Sequence, residues 1–335
     1  MATMDDIAKR LGISKATVSK ALSGATDVSE STRKSVLEIA VELGYSRPAR
    51  SGGKRLCIFI ENMAYTAPED FGWDIIMGFR KMAEPAGACI EVVPLTVQTQ
   101  KQIPYDQYML SNGYAGAFFL GLTLNDPWMQ DFRSSRTPAV LYDNHVRSNP
   151  YTAYLGIDND EGMDLAVARL KALGHRKIGY LSGALGSYIQ QVRYRAFFRS
   201  LRQSGFPDQP SLVGNSYYTS ECLENHLPRL LRQGVTAIIC SHDLLAHSVL
   251  IHCMEVGIRV PDQLSIIGFD DLPLCSYTIP PLASIRQNRP QLGRSAYYAL
   301  ASLLDGIPIS TLLLHAELIE RASIGPAPES SPNKG

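Results

Sequence analysis

The sequence predicts a small all-α head followed by a two-lobed α/β core built on doubly wound parallel sheets. Three observations lead there. Residues 3–44 carry apolar positions at helical spacing and little strand signal. From Leu56 onward, short apolar runs alternate with amphipathic helical stretches, the pattern of strand–helix–strand units with right-handed crossovers. That second texture persists for about 270 residues, more than one open sheet uses, which points to two lobes.

The head reads as three short helices. Thr3 can cap the first, with Asp6 at the third helical position and Met4, Ile7, Ala8 and Leu11 on one face. Gly12 breaks that helix. Ser14 can cap a second, whose inward positions are Val18 and Leu22 and which ends at Ser23-Gly24. Ser29 can cap a third, with Val36, Ile39, Ala40 and Leu43 inward and Gly44 as its terminator. In the core, strands are expected at 56–61 (LCIFIE), 89–94 (CIEVVP), 115–120 (AGAFFL), 138–142 (PAVLY), 177–181 (KIGYL), 235–240 (VTAIIC) and 264–268 (LSIIG). Intervening helices carry stripes such as Met163, Ala166, Val167, Leu170 and Ala246, Val249, Leu250, Cys253, and Gly174 stops one just before a strand. The end of the chain, APESSPNKG, has the composition of a disordered tail.

Composition limits the function classes. A 45% hydrophobic and 19% charged chain of 335 residues belongs with globular proteins. Its 32 basic and 32 acidic side chains cancel, yet residues 1–55 hold ten Lys or Arg against six Asp or Glu. A basic segment on an acidic body suits a phosphate-binding head joined to a domain with another task. The six cysteines are scattered without a C-x-x-C pair, so buried free thiols in a reducing cytoplasm explain them better than disulfides or a metal site. The polar N-terminus and the absence of a long apolar run lead us to expect neither secretion nor membrane insertion. Ser241, His242 and Asp243 are triad residue types, but their side chains diverge at adjacent positions, and no nucleophile elbow or Walker loop is present. Catalysis, a cofactor and a resident metal are not expected.

Two short helices joined by a Gly-containing turn fit a helix-turn-helix, whose second helix enters the major groove by its N-terminal end. That end is Ser14-Lys15-Ala16-Thr17, with Ser19 and Lys20 beyond. The hydroxyls suit phosphate oxygens, the lysines reach guanine acceptors or phosphates, and Ala16 offers a methyl contact to thymine. A helical subdomain with capping serines and solvated lysines fits the same residues.

The runs MDDIAKRLGISKATVSKALSG and VSESTRKSVLEIAVELGY closely resemble the head of the lactose-repressor (LacI-type) family of bacterial transcription regulators across positions 3–45. The resemblance implies base reading by Lys15 and Ala16, with Lys20 where the family carries Arg or Lys. It implies phosphate contacts by Ser14, Thr17, Ser19, Ser29 and Thr32. Where the family has a hinge helix with a minor-groove leucine, this chain has SRPARSGGKR, with paired glycines, Pro48 and no apolar wedge. We expect instead a flexible basic strap that places Arg47, Arg50, Lys54 and Arg55 on phosphates and bends the operator modestly.

The resemblance continues to about residue 325, through LGHRKIGYLSG, YLSGALGSY with RYRAFF, and VPDQLSIIGFDDLPLCSYTIPPLASIRQN. It implies a periplasmic-binding-protein-like core. The expected division is a head at 1–46, a short linker at 47–55, an effector-binding and dimerisation domain at 56–327 and a tail at 328–335. Within the core, lobe 1 would take about 56–156 and 287–316, and lobe 2 about 157–286 and 317–327. A ligand would sit in the cleft at the strand ends. Asp143, Arg193, Asp270 and Gln287 are carried over by position, and Glu61 ends the first strand. Asp143, His242-Asp243 and Asp270 each follow a strand, and carboxylates and guanidinium suit a polyhydroxylated ligand. Phe71, Trp73, Tyr217 and Tyr218 could face a sugar ring. His242 stands where the family often has Asn, so the ligand's identity does not carry over. The plainer alternatives are Asp270 and Asp271 capping the loop after their strand, and Arg193 paired with a neighbouring acid.

By resemblance, the chain is expected to be a repressor that binds a pseudo-palindromic operator as a homodimer under control of a sugar-like effector. Its rivals are a secreted sugar-binding protein and a constitutive DNA-binding protein with a vestigial sensor.

Overall fold

The structure, a computed structural model, describes residues 2–47 and 53–329. Arg50, the rest of the expected linker between Arg47 and Gly53, and the last residues of the expected tail lie outside the described residues. In chain order the elements are α1 (Met4–Leu11), α2 (Lys15–Ser23), α3 (Glu30–Glu42), β1 (Arg55–Ile60), α4 (Phe71–Ala83), β2 (Cys89–Pro94), α5 (Val97–Gln102), α6 (Tyr105–Asn112), β3 (Gly116–Leu120), α7 (Trp128–Asp131), β4 (Ala139–Tyr142) and β5 (Thr152–Ile157). There follow α8 (Asn159–Ala172), β6 (Ile178–Ser182), α9 (Tyr188–Gln203), β7 (Val213–Asn215), α10 (Thr219–Glu221), α11 (Leu227–Arg232), β8 (Ala237–Cys240), α12 (Asp243–Glu255), β9 (Ser265–Asp270), β10 (Ala283–Arg286), α13 (Arg289–Leu304), β11 (Thr311–Leu314) and β12 (Glu317–Ile319).

The head forms as its local chemistry dictates. Thr3 accepts from Asp6 N–H at 3.3 Å while the Asp6 carboxylate takes the Thr3 N–H at 2.8 Å, a complete capping box. Ser14 and Ser29 cap α2 and α3 through the amides of Thr17 and Thr32, at 3.1 and 3.2 Å. Gly12 closes α1 in the left-handed region at φ 66°, where a side chain would add strain. Ile7, Val18, Leu22, Val36 and Ala40 fill the small core between the three helices.

Two compact units are present, Met1–Gly156 with Arg289–Leu312, and Ile157–Asn288 with Leu313–Gly335. The head groups with the first. The chain thus changes unit after Gly156, Asn288 and Leu312, against expected positions of 156, 286 and 316. The first unit holds a six-stranded sheet in the order β11-β5-β4-β3-β1-β2, in which β2, β1, β3, β4 and β5 run parallel. An aromatic cluster of Phe59, Tyr105, Phe119, Trp128 and Phe132 packs one face. On α13 and α4 the backbones nearly touch, since a Cβ on Gly293 would lie 1.9 Å from the Ile75 carbonyl oxygen.

The second unit repeats the architecture, with order β12-β10-β9-β8-β6-β7, in which β10, β9, β8, β6 and β7 run parallel and β12 pairs antiparallel with β10. Leu181, Leu230, Ile238, Val249, Leu250 and Leu264 lie in its core with Cys222, Cys240, Cys253 and Cys275, and burial pushes the thiols of Cys222 and Cys253 up to about 11. Buried His175 fastens the C-terminal segment, with Nδ1 2.9 Å from Thr236 Oγ1 and Nε2 3.1 Å from the Gly325 carbonyl oxygen. Each sheet keeps its strand C-termini aligned because the parallel pairs have matching registers, so polar residues just after those strands gather along one edge.

Candidate functional site

In the head, the two faces of α2 differ sharply. Val18, Ala21 and Leu22 point into the core, whereas Lys15, Ala16, Ser19 and Lys20 are exposed. Lys15 Nζ is 2.7 Å from Asp5 Oδ2, and Lys20 pairs with Asp27. Both pairs are exposed, so a phosphate competing for either lysine displaces little binding energy. The hydroxyls of Ser14 and Thr17 lie 2.9 Å apart, and those of Ser29 and Thr32 are separated by 2.8 Å. Four of the five residues expected on phosphates therefore also build the two helix starts, where unpaired amides favour an anion.

The linker's expected basic strap is divided. Arg55 is drawn onto the body by Glu91 at 2.8 Å and the Asn112 carbonyl at 2.6 Å, and Lys54 reaches Asp305 at 3.4 Å. Arg47 is half-buried, with Nη2 3.5 Å from the Ser111 carbonyl. These residues are held by protein acceptors on elements distant in sequence, so no local pattern marks them.

In the second unit a buried guanidinium is held at the strand ends. Arg193, on α9, is only 3% exposed. Its Nε donates to Asn159 Oδ1 at 3.0 Å, Nη1 to the Ser241 carbonyl just after β8 at 2.5 Å, and Nη2 to Asp270 Oδ1 at 3.3 Å. The guanidinium lies 3.7 Å from the centre of the Phe269 ring, a stacking contact that fixes its plane. Gln287, just after β10, donates to the same Asp270 Oδ1 at 2.7 Å. Arg193, Asp270 and Gln287 are thus brought together, as one hydrogen-bonded set. Asp270 adopts φ 109°, a region costly for a side-chain-bearing residue.

Neighbouring residues hold that set in place. The backbone turns between Asp270 and Asp271, and Asp271 goes to a separate pair of cations, Arg286 at 2.7 Å and Arg321 at 2.8 Å. His242 is the N-cap of α12 and accepts the Leu245 N–H on Nδ1 at 3.1 Å. That bond puts the proton of the neutral ring on Nε2. Burial lowers its pKa, which favours that neutral donor. Asp243 is buried, accepting from Ser284 Oγ at 2.6 Å and Leu272 N–H at 2.7 Å. Burial and the adjacent Asp270 charge raise its pKa. Asn159, the Ser241 carbonyl and Phe269 join the set without a signal in the sequence. The first is a helix-start residue by pattern and the last a strand residue, so only tertiary packing reveals them.

The remaining expected ligand contacts have varied surroundings. In the first unit, Glu61 is buried and accepts from Gln100 Nε2 at 2.7 Å, while Gln100 Oε1 accepts the Trp128 N–H at 3.2 Å. Burial, with the Asp126 charge, pushes the Glu61 carboxyl up to about 7. Glu61 therefore ties β1 to α5. Phe71 is half-buried with its ring 6.0 Å from Tyr142 and 5.8 Å from the Arg289 guanidinium. Asp143, half-buried just after β4, has φ 52°, and a Cβ on Gly156 would lie 2.9 Å from its Oδ1. Tyr217 of the second unit is 82% exposed, with its ring edge-to-face on Tyr218.

A family model described as bacterial regulatory proteins, lacI family, matches residues 3–48, and one for a periplasmic binding protein-like domain matches 167–324. The chain is 30% identical to the HTH-type transcriptional regulator reg1 of Streptomyces lividans over 96% of each chain. The chain belongs to the lacI family of bacterial regulatory proteins. Solved structures extend the likeness to the whole fold. A transcriptional regulator CelR–cellobiose complex matches with TM-score 0.69 at 22% identity, covering 96% of this chain and 100% of that one. The lac repressor dimer bound to operator and the anti-inducer ONPF matches with TM-score 0.67 at 24% identity, covering 97% and 99%. As a family member, this chain is a DNA-binding transcription regulator with a helix-turn-helix head and a periplasmic-binding-protein-like body. Among the described residues, no helix is long and apolar enough to cross a membrane.

Proposed function

We propose that the chain is a repressor whose grip on a pseudo-palindromic operator is set by a small polyhydroxylated ligand, a sugar or related metabolite. The observation that carries the ligand reading is the Arg193–Asp270–Gln287 set, rigidly held at the C-terminal edge of a parallel sheet. A buried, stacked guanidinium and a carboxylate with fixed donors are pre-organised to meet vicinal hydroxyls, and pre-organisation lowers the entropic cost of binding. His242 of the second unit, and Phe71 and Asp143 of the first, are proposed as further contacts. Glu61, held by Gln100, and the exposed Tyr217 are proposed as contacts as well. The CelR structure named for its cellobiose complex supports a sugar-class ligand.

DNA reading is proposed for Lys15, Ala16 and Lys20, with Ser14, Thr17, Ser19, Ser29 and Thr32 on phosphates. The homodimer is supported by an exposed apolar stripe on α12, Leu244, Ile251 and Met254 at spacing 7 and 3. The relative crystallised as a dimer on operator is consistent with it. Ligand binding would favour one of two arrangements of the molecule, limited by its differential affinity for them.

Thermal-shift screening of sugars and nucleosides against the full chain, followed by mass measurement in solution, tests both parts. The expected result is a stabilising hit that Gln287→Ala weakens at least tenfold, and a mass near twice that of one chain. A hit untouched by Gln287→Ala and Asp270→Asn would remove the ligand site from this set.

A further inference from the structure

The head does not simply hang from its linker. Leu110, on the body's helix α6, is 8% exposed because it completes the head's own apolar cluster with Val18, Leu22, Val36, Leu37 and Tyr45. Helix α6 packs along α3 and also meets α2. A second contact lies nearby: a Cβ on Gly44 would stand 2.9 Å from Arg136 Nη1, so the turn after α3 sits against the loop that carries Arg136.

The C-terminus of α6 holds both flanks of the linker. Arg47 Nη2 is 3.5 Å from the Ser111 carbonyl, and Arg55 Nη1 is 2.6 Å from that of Asn112. Those are terminal carbonyls that have no partner along the helix, at its negative end, where cations are favoured. The Arg55 guanidinium also stands 5.0 Å from the centre of the Tyr114 ring. Throughout this contact Lys15, Ala16, Ser19 and Lys20 remain exposed, so the docked head still presents its reading face.

From this geometry we infer that α6 is the docking helix that orients the DNA-reading head, and that Leu110 is its positioning residue. The inference rests on the two-headed DNA-binding reading above. A head fixed on the body presents its reading helix at a set place, so two copies favour one separation between half-sites. A head freed from α6 samples many placements, which lowers the effective concentration of the second head at its half-site. The contact therefore acts on spacing and paired-site affinity, and not on how one head reads one half-site.

The test uses the full chain and duplexes selected by it from a random-sequence pool, with the two half-sites moved apart by one to five base pairs, alongside a single half-site. The wild-type chain should prefer one spacing by tenfold or more. Leu110→Ala should bind the preferred duplex about tenfold more weakly and show less than twofold preference among spacings, with single half-site binding unchanged. Leu110→Met should restore the preference. Retained spacing preference in Leu110→Ala, or an equal loss on the single half-site, overturns the inference. Amide exchange without DNA decides it independently. Amides of Val41–Arg47 should exchange at least tenfold faster in Leu110→Ala while those of β6 stay unchanged, and unaltered exchange at Val41–Arg47 overturns the latch. If wild-type chain selects no duplex or shows no spacing preference, the two-headed reading has failed, and the exchange result still judges the contact.

Discussion

Replacing Arg193 by methionine keeps an unbranched chain over Phe269 but deletes every donor that ties α9 to the strand ends. Asn159 Oδ1 and the Ser241 carbonyl lose bonds of 3.0 and 2.5 Å, and Asp270 loses its 3.3 Å ion pair. The Arg193 and Asp270 side chains are 4% and 15% exposed, so solvent repairs little of the loss. Breaking one partner of such a buried pair costs ~3–5 kcal/mol, largely by leaving the other charge uncompensated. Gln287 still donates to Asp270 at 2.7 Å, which places the expected cost near the lower end, about 3 kcal/mol. Urea unfolding followed by tryptophan-independent circular dichroism should show this loss. Adding Asp270→Asn to Arg193→Met should recover at least about 1 kcal/mol, because the orphaned charge is gone. A cost under about 1 kcal/mol for the single substitution, or strict additivity in the double, would refute the reasoning that the pair holds this edge together.

Three further outcomes are expected. Ala16→Glu, on the exposed face of α2, should leave head stability within about 0.5 kcal/mol and abolish selected-duplex binding at moderate salt, read by fluorescence anisotropy; retained binding would exclude that face from the interface. Burial lowers the His175 pKa below its ordinary 6.5, so the unfolded chain takes the proton more readily, and stability falls as pH drops below about 6.5. A wild-type melting temperature flat from pH 7 to pH 5, or the same decline in His175→Gln, would contradict that origin. Gly293→Ala places a methyl 1.9 Å from the Ile75 carbonyl oxygen, so the first unit should lose about 2 kcal/mol or more by overpacking, measured by thermal unfolding; an unchanged midpoint would show that α4 and α13 slide apart freely.

What sequence could show depended on how local the cause was. The head was readable because its signals are neighbours: Thr3 with Asp6, Ser14 with Thr17, Ser29 with Thr32, and left-handed Gly12 and Gly24. Buried strands with long apolar runs, such as β1 and β3, were equally plain. By contrast β5 carries Thr, Tyr and Gly among its six residues, and β7, β10, β11 and β12 have only three or four residues each, too few for periodicity to register. Arg193, Asp270 and Gln287 were expected together through family resemblance, whereas Asn159 joined them through a contact 34 residues away. Glu61 was expected as a ligand contact because it ends β1, whereas its partner Gln100, 39 residues on, left no sign in the sequence. The partners of Lys54 and Arg55 were hidden for the same reason: Asp305 and Asn112 are their neighbours only in the folded chain.

The proposed function requires that a small molecule bound at the Arg193–Asp270–Gln287 set change how the exposed face of α2 binds DNA. Its most direct test is the affinity of the full chain for a duplex it has selected, titrated with each stabilising sugar or nucleoside. At least one compound should change the dissociation constant fivefold or more, with the change abolished in Gln287→Ala and the compound-free affinity preserved. Duplex affinity indifferent to every compound that binds the protein would contradict it.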